Sequence, residues 1–240
     1  MRAMQSGTAL MAIAKRILLG LVLLAVPAAV QAQFCGGPYH YNGYEFFINC
    51  SDTNTIALYN CGPGGAVTLP TTINNLLVTT IPVDGFQGCS TLTSVTIPSS
   101  ITNIGAGAFQ NCTSLANVVI ANGGTTYIPG GAFSGCVSLT NVTIGNSITS
   151  IGGEAFAGCT SLTSVTIPNN VTYLSEGAFL GCTNLTSVVI AGGGGPTILA
   201  PGNYPPYDGG AFQGCTKLAN VTLGNALSAS GMVRSRAAPA

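Results

Sequence analysis

The sequence predicts a mainly β solenoid with coils of about 23 residues. A phrase typified by residues 156–168, F-A-G-C-T-S-L-T-S-V-T-I-P, occurs six times along the chain. Its Phe recurs at intervals of 23, 24, 23, 23 and 33 residues, and a Cys follows each Phe three residues later. A repeat of this length is typical of a solenoid, in which each coil buries its apolar face only against its neighbours.

Each repeat contains one predicted strand and a short return segment. The spacing of Leu162, Val165 and Ile167 ends in the alternation that is typical of a half-buried strand. Pro168 follows and ends the strand, because it has no N–H to donate. No segment has sustained helical periodicity, so the return side is predicted to be a short strand, a 3₁₀ turn or a single helical turn. We expect the repeated Phe to fill the interior.

The strand pattern L-x-x-V-x-I is the strand half of a leucine-rich repeat. The longer phrase A-F-x-G-C-T-S-L-T-S-V-T-I-P-x-x-V-T resembles the BspA-type leucine-rich repeat of bacterial surface proteins, over roughly residues 61–226. The resemblance implies stacked coils and a role similar to that of adhesins and matrix-binding proteins. It brings no catalytic residues to this chain.

The N-terminal segment, residues 1–32, is predicted to be a secretory signal peptide. Lys15 and Arg16 precede an apolar run at 17–26, and small residues at 30 and 32 fit a cleavage site. The run is shorter than the about 20 residues needed to span a bilayer. We therefore expect a secreted or cell-surface protein with no membrane span after cleavage.

Three further segments follow the signal. Residues 33–66 are rich in Tyr and Phe, and two β-type runs around 51–54 predict a hairpin that caps the first coil. Residues 67–226 form the solenoid, with an inserted loop at 191–210. Residues 227–240 are predicted to form an irregular tail, in which the repeated phrase does not recur. We expect either a truncated gene or an end that meets a partner or another copy of the chain.

The charge of the chain argues against several functions. Charged residues make up 5% of the sequence, against about 25% in typical domains. Without the signal, three basic and six acidic residues give a net charge of −3. Nucleic acid is not an expected partner, because no basic stripe is present. With one His and scattered carboxylates, no catalytic triad or acid pair can be built, so we expect neither an enzyme nor a cofactor.

The nine Cys fall into two groups. Six recur once per repeat, at 89, 112, 136, 159, 182 and 215, and are expected to be buried free thiols that act as small hydrophobes. Cys35, Cys50 and Cys61 lie in the cap, where one disulfide among them is expected, with the partners left open. With His40 they match no paired zinc-binding spacing, so no metal is expected.

Two surfaces are candidate binding sites. The first is a neutral face of outward strand residues: Ser94, Thr96, Asn117, Val119, Asn141, Thr143, Ser164, Thr166, Ser187, Val189, Asn220 and Thr222. The second is part of the inserted loop: Tyr204, Pro205, Pro206, Tyr207 and Asp208. The alternatives are a solvated sheet whose residues only favour strand pairing and a loop that is merely tolerated.

The first functional hypothesis is therefore a recognition module that binds a protein or a glycan. The second is a structural protein that self-associates through open solenoid ends. A third, binding of ice or crystal surfaces by Thr rows, is weakened by Val119 and Val189.

Overall fold

The computed structural model describes residues 36–48, 55–191, 198–199 and 210–224, and all regular structure in these ranges is β-strand. The strands follow one another along the chain as β1 (Gly36–Tyr41), β2 (Tyr44–Ile48), β3 (Thr55–Tyr59), β4 (Gly65–Thr68), β5 (Thr72–Ile73), β6 (Leu76–Ile81), β7 (Leu92–Ile97), β8 (Asn103–Ile104), β9 (Asn117–Ile120), β10 (Tyr127–Ile128), β11 (Asn141–Thr143), β12 (Ser150–Ile151), β13 (Ser164–Ile167), β14 (Tyr173–Leu174), β15 (Ser187–Ile190), β16 (Ile198–Leu199) and β17 (Asn220–Leu223).

One side of the solenoid consists of the longer strands, which pair in parallel from coil to coil. Strands β4, β7, β9 and β11 form one sheet, and β13, β15 and β17 form the next. The register is in phase with the repeat, so that Val95 pairs with Val118 and Val118 with Val142. Equivalent residues of successive coils therefore form straight rows. We call the outward surface of these strands the long-strand face.

The other side consists of two-residue strands, so the predicted return segments are short strands here. Strands β10, β12, β14 and β16 pair in parallel, and β8 pairs with β6. In β8, β10, β12 and β14 the second residue points inward, as Ile128 and Ile151 do, and the first residue points outward. We call the outward surface of β8, β10, β12 and β14 the return face.

Stacked aromatic rings fill the interior between the two sides. The rings of Phe86, Phe109, Phe133, Phe156 and Phe179 are fully buried, and neighbouring ring centroids lie 5.0–5.3 Å apart. Backbone hydrogen bonds link the same residues from coil to coil. The N–H of each of these five Phe donates to a carbonyl of the next coil, as Phe133 does to Ala155 at 2.7 Å. The β-solenoid fold predicted from the repeats is confirmed.

The N-terminal region packs against the first coil. Strand β2 pairs antiparallel with β1 and with β3, and β3 pairs in parallel with β6 of the solenoid. Phe46, Ile56 and Leu58 are buried in the same hydrophobic cluster as the Phe column. The three strands β1–β3 therefore extend the sheet that contains β6 and β8. Their buried side chains pack against the interior of the first coil.

The structure corrects the expectation for two of the cysteines. Cys61 forms a disulfide with Cys89, across a Cα–Cα distance of 5.2 Å. Cys89 is therefore not a free thiol, and Cys61 does not pair within the cap. Parallel coils lie about 5 Å apart, which brings Cys61 within bonding distance of the first residue of the Cys column. Cys35 and Cys50 lie outside the described residues.

Candidate functional site

The outward residues of the long-strand face form two rows in each of its two sheets. In the first sheet, Asn117 pairs with Ser94 and Asn141, and Val119 pairs with Thr96 and Thr143. In the second sheet the corresponding rows are Ser164–Ser187–Asn220 and Thr166–Val189–Thr222. All twelve predicted face residues thus lie on one side of the solenoid. Eight are exposed, and the other four are half-buried: Ser94, Thr96, Asn117 and Ser187.

Hydrogen bonds between coils use part of the polar capacity near this face. The Asn141 side-chain amide donates to Oδ1 of Asn117 at 3.0 Å. At the start of the strands, Thr140 Oγ1 donates to the Ala116 carbonyl at 3.1 Å, and Thr186 Oγ1 to the Thr163 carbonyl at 3.0 Å. These bonds stabilise coil stacking, while the exposed hydroxyls of Thr143 and Thr166 point outward. The face is neutral, since none of its twelve residues carries a charge.

The other candidates from the sequence are the inserted loop and the lone His. Residues Tyr204–Asp208 of the inserted loop lie outside the described residues. Nδ1 of His40 lies 3.7 Å from Oε1 of Glu45, and the imidazole is largely exposed. In the described ranges, no group of three His, Cys, Asp or Glu side chains is placed to hold a metal ion. In the same ranges, no helix is long and apolar enough to cross a membrane.

The remaining residues of the Cys column are buried thiols: Cys112, Cys136, Cys159, Cys182 and Cys215. Each Sγ donates to the carbonyl of the Phe in the preceding coil at 3.0–3.3 Å, as Cys159 does to Phe133. Burial raises the pKa of the Cys159 thiol to about 12. A protonated and enclosed thiol is a poor nucleophile, so Cys159 packs the interior. The other four thiols are buried in the same way.

Two exposed tyrosines on the return face were not singled out as site residues by the sequence reasoning. Tyr127 is 45% exposed and Tyr173 is 42% exposed. Both occupy the outward position of their strands, and both pair with Ser150 of the strand between them. Aligning the repeats on the residue before each inward Ile or Leu of the return strand would have revealed them.

A cavity lies among residues of the turns that follow the return strands. Its volume is 240 Å³, and it is lined by Gly153, Glu154, Glu176, Gly177, Leu180 and Gln213. Oε1 of Glu176 is buried and has no hydrogen-bond partner among the described residues. Glu154 has a positive φ of 57°, in the turn position that Gly177 occupies in the next coil. Oε1 of Glu176 is therefore an acceptor that the protein itself encloses.

Comparison with known proteins identifies the class of protein that this architecture defines. The family model "BspA type Leucine rich repeat region" matches six copies over residues 79–194. A crystal structure of a T. pallidum leucine-rich repeat protein is 30% identical, covering 80% of this chain and 83% of that chain, with a TM-score of 0.60. The chain therefore belongs to the BspA-type leucine-rich repeat family.

A second similar structure supports the same fold. A leucine-rich repeat protein from Bacteroides ovatus is 24% identical over 79% of this chain, with a TM-score of 0.57. This chain covers 54% of the length of that protein. No curated protein matches the chain.

Proposed function

We propose that the chain is a non-enzymatic recognition module, secreted or held at the cell surface, that binds a protein or a glycan through its repeat scaffold. The observation that carries this proposal is the long-strand face. Its in-phase register places exposed hydroxyls, amides and two Val side chains in straight rows across successive coils. A flat surface of this kind fits an extended macromolecule better than a small substrate, which needs a concave pocket.

The chemistry of the described side chains supports a binding role rather than catalysis. The thiols are buried, and His40 contacts only one carboxylate in the described part of the chain. The solved relative from T. pallidum is itself described as a leucine-rich repeat protein. Binding to such a neutral face depends on shape and hydrogen bonding, because there is little charge to steer a partner.

A capture experiment with matched variants tests the proposal. The full chain is immobilised and exposed to matrix proteins and to cell-envelope glycans, and the retained material is quantified. Thr143→Arg and Thr166→Arg place a long charged side chain in the middle of the exposed rows and are expected to abolish retention. Thr113→Arg, in an exposed turn after Cys112, is the control and should retain the ligand. Retention that is equal in all variants would contradict binding through this face.

The proposed location rests on the predicted signal peptide and has its own test. Expression of the full chain in a bacterial host should yield exported protein whose N-terminal sequence begins at Gln33. Replacing Lys15 and Arg16 by Glu is expected to retain the chain in the cytoplasm, because the positive segment is part of the export signal. Unprocessed parent protein in the cytoplasm would contradict a secreted or surface location.

A second candidate function, self-association through an open end, is favoured by the last described coil. Val221 and Leu223 are 37% and 38% exposed, whereas Val188 and Ile190 of the preceding strand are 0% and 2% exposed. An exposed apolar strand edge favours pairing with another chain. Val221→Lys should then abolish association in sedimentation experiments, while Thr222→Lys on the same strand is the control. A parent protein that is monomeric at all concentrations would exclude this function.

A further inference from the structure

The last two described coils place two free thiols side by side. Cys182 and Cys215 are successive members of the Cys column. The backbones next to them are in direct contact: Gly181 N–H donates to the Gln213 carbonyl at 2.8 Å, and a Cβ built on Gly214 would lie 3.3 Å from Cα of Gly181. The two thiol groups interact with each other. The pair therefore has the close approach that a disulfide between coils needs.

The Cys column already contains one disulfide between adjacent coils. Cys89, the first member of the column, is bonded to Cys61 with a Cα–Cα distance of 5.2 Å. This distance lies within the range of about 4.4–6.8 Å that disulfides span. A member of the column can therefore bond to a Cys of the neighbouring coil while the two coils stay stacked.

Exposure distinguishes Cys215 from the other free thiols. Cys215 is 8% exposed, whereas the other four free thiols of the column are 0% exposed. Its neighbours in the turn are exposed: Gly214, Thr216 and Lys217. An opening confined to the last described coil is therefore enough to bring Cys215 into contact with a reagent in solution, while the thiols of the middle coils stay enclosed.

The interaction between the two thiols favours the reactive form of Cys215. A hydrogen bond from the Cys182 thiol lowers the pKa of Cys215, because it stabilises the thiolate. The thiolate is the nucleophile in disulfide exchange. The same interaction, together with burial, raises the pKa of Cys182. Cys182 therefore stays protonated until Cys215 has reacted.

We propose that Cys182 and Cys215 form a redox-sensitive staple, which an oxidant that itself carries a disulfide closes. The Cys215 thiolate attacks one sulfur of the oxidant RSSR, so that a mixed disulfide forms and one thiolate RS⁻ leaves. Cys182 then gives up its hydrogen bond to the Phe156 carbonyl, now 3.2 Å long, and its thiolate attacks Sγ of Cys215. The second RS⁻ leaves. The two protein thiols lose two electrons and two protons, and the oxidant is reduced to two thiols RSH.

The closed staple links the coils on either side of the inserted loop. Cys182 precedes residues 191–210 and Cys215 follows them, so the bond closes a ring that contains this loop. It also ties the last described coil, in which Val221 and Leu223 are more than a third exposed, to the coil before it. The inference goes beyond the proposed function and does not depend on which face binds a ligand.

Disulfide mapping tests the selectivity of the reaction. The full chain is incubated with oxidised glutathione, remaining thiols are alkylated in denaturant, and peptides from a non-reducing digest are identified by mass spectrometry. We expect a Cys182–Cys215 disulfide, while Cys112 and Cys136 are recovered as alkylated thiols. These two are the matched control, because their thiols also interact but both are fully enclosed. Absence of the Cys182–Cys215 disulfide, or equally rapid bonding of Cys112 to Cys136, would overturn the proposal.

Single substitutions test the order of the two steps. In Cys182→Ser the reaction should stop at a mixed disulfide between glutathione and Cys215, because the second thiol is missing. In Cys215→Ser, Cys182 should stay a free thiol, because it is enclosed. The melting curve of each variant shows that it is folded. A folded Cys182→Ser protein without a glutathione adduct on Cys215 would contradict the assigned roles.

Melting curves test whether the bond holds the coils together. The parent treated with oxidised glutathione should melt about 5 °C or more above the untreated parent, because closing a long ring constrains the unfolded chain. The double variant with Ser at 182 and 215 keeps Cys61 and Cys89 and should show no shift after the same treatment. An equal shift in the double variant would assign the effect to another Cys, and an unshifted oxidised parent would show that the bond does not stabilise the coils. Either result would overturn the staple.

Discussion

The first coil and the last described coil carry similar strands but differ in what covers them within the described part of the chain. At the N-terminal end, Val67 and Leu69 of the first coil are buried in one cluster with Phe46 and Leu58. In the last described coil, the apolar residues of β17 have no such cover among the described residues, and Val221 and Leu223 are more than a third exposed. The same repeat pattern thus gives opposite burial in the first coil and in the last described coil.

The difference shows that burial in this fold depends on neighbouring coils and not on the coil itself. Each repeat supplies half of an interface, and stability is close to a sum over coils and over the contacts between adjacent coils. Residues with a coil on both sides should therefore be more sensitive to substitution than equivalent residues at an end. The disulfide between Cys61 and Cys89 adds a covalent link at the covered end.

The largest expected effect comes from comparing Phe156 with Phe212. The Phe156 ring stacks between those of Phe133 and Phe179, with centroids 5.3 and 5.1 Å away, and is fully buried. Phe156→Ala should lower the free energy of unfolding by about 3–5 kcal/mol. Phe212 is only half-buried and stacks on Phe179, so Phe212→Ala should cost about half as much. Denaturant unfolding measures both values, and equal costs would contradict the dependence on neighbouring coils.

The covered end is tested next, by removing the disulfide. Replacing Cys61 and Cys89 together by Ser should lower the free energy of unfolding by about 2–4 kcal/mol, because the link constrains the unfolded chain. A reducing agent should lower the free energy of unfolding of the parent by a similar amount and leave that of the double variant unchanged. Equal sensitivity of the two proteins to reduction would place the redox effect elsewhere in the chain.

Most of the fold could be predicted from the sequence because a solenoid repeats its contacts along the chain. The positions of Phe and Cys and the alternation at Val165 and Ile167 recur in all six repeats, whereas the Pro that ends the strand recurs only at 98 and 168. Stacking of the coils extends this local pattern along the whole solenoid. The outward position of Thr143 and Thr166 follows from the alternation of strand residues.

The parts that could not be predicted are those that do not repeat. Cys61 stands outside the repeated phrase, so its pairing with Cys89 depends on how the cap sits on the first coil. Tyr127 and Tyr173 lie in strands of two residues, which are too short for an alternation of apolar and polar residues to be recognised. The cavity lined by Glu154 and Glu176 depends on two Glu from adjacent coils, at different positions of the repeat.

A smaller effect is expected from pH, through the interior of the middle coils. Burial raises the pKa of Cys159 from the ordinary 9.0 to about 12 in the folded protein. The folded state therefore keeps a proton that the unfolded chain releases above pH 9, and stability falls as pH rises from about 9 toward 12. Between pH 8 and pH 10 the Cys159 thiol should account for about 1 kcal/mol of this loss.

Melting curves of the parent and of Cys159→Ala between pH 8 and pH 10 measure that contribution. The variant is less stable at every pH because it lacks a packed sulfur atom, so the slope against pH is the quantity to compare. Its slope should be shallower than that of the parent. An identical slope would show that the Cys159 thiol does not titrate differently in the folded and unfolded states.

The smallest effect is expected on the outside of the same middle coils. Thr166 is exposed and pairs with Val189 of the next strand, so Thr166→Ala removes no buried contact and should change the free energy of unfolding by no more than about 0.5 kcal/mol. Val165→Ala, one residue earlier and pointing inward, is the control and should be clearly destabilising. If Thr166→Ala lowered the free energy of unfolding as much as Val165→Ala does, the outward row would contribute to coil stacking. The long-strand face would then not be a free binding surface.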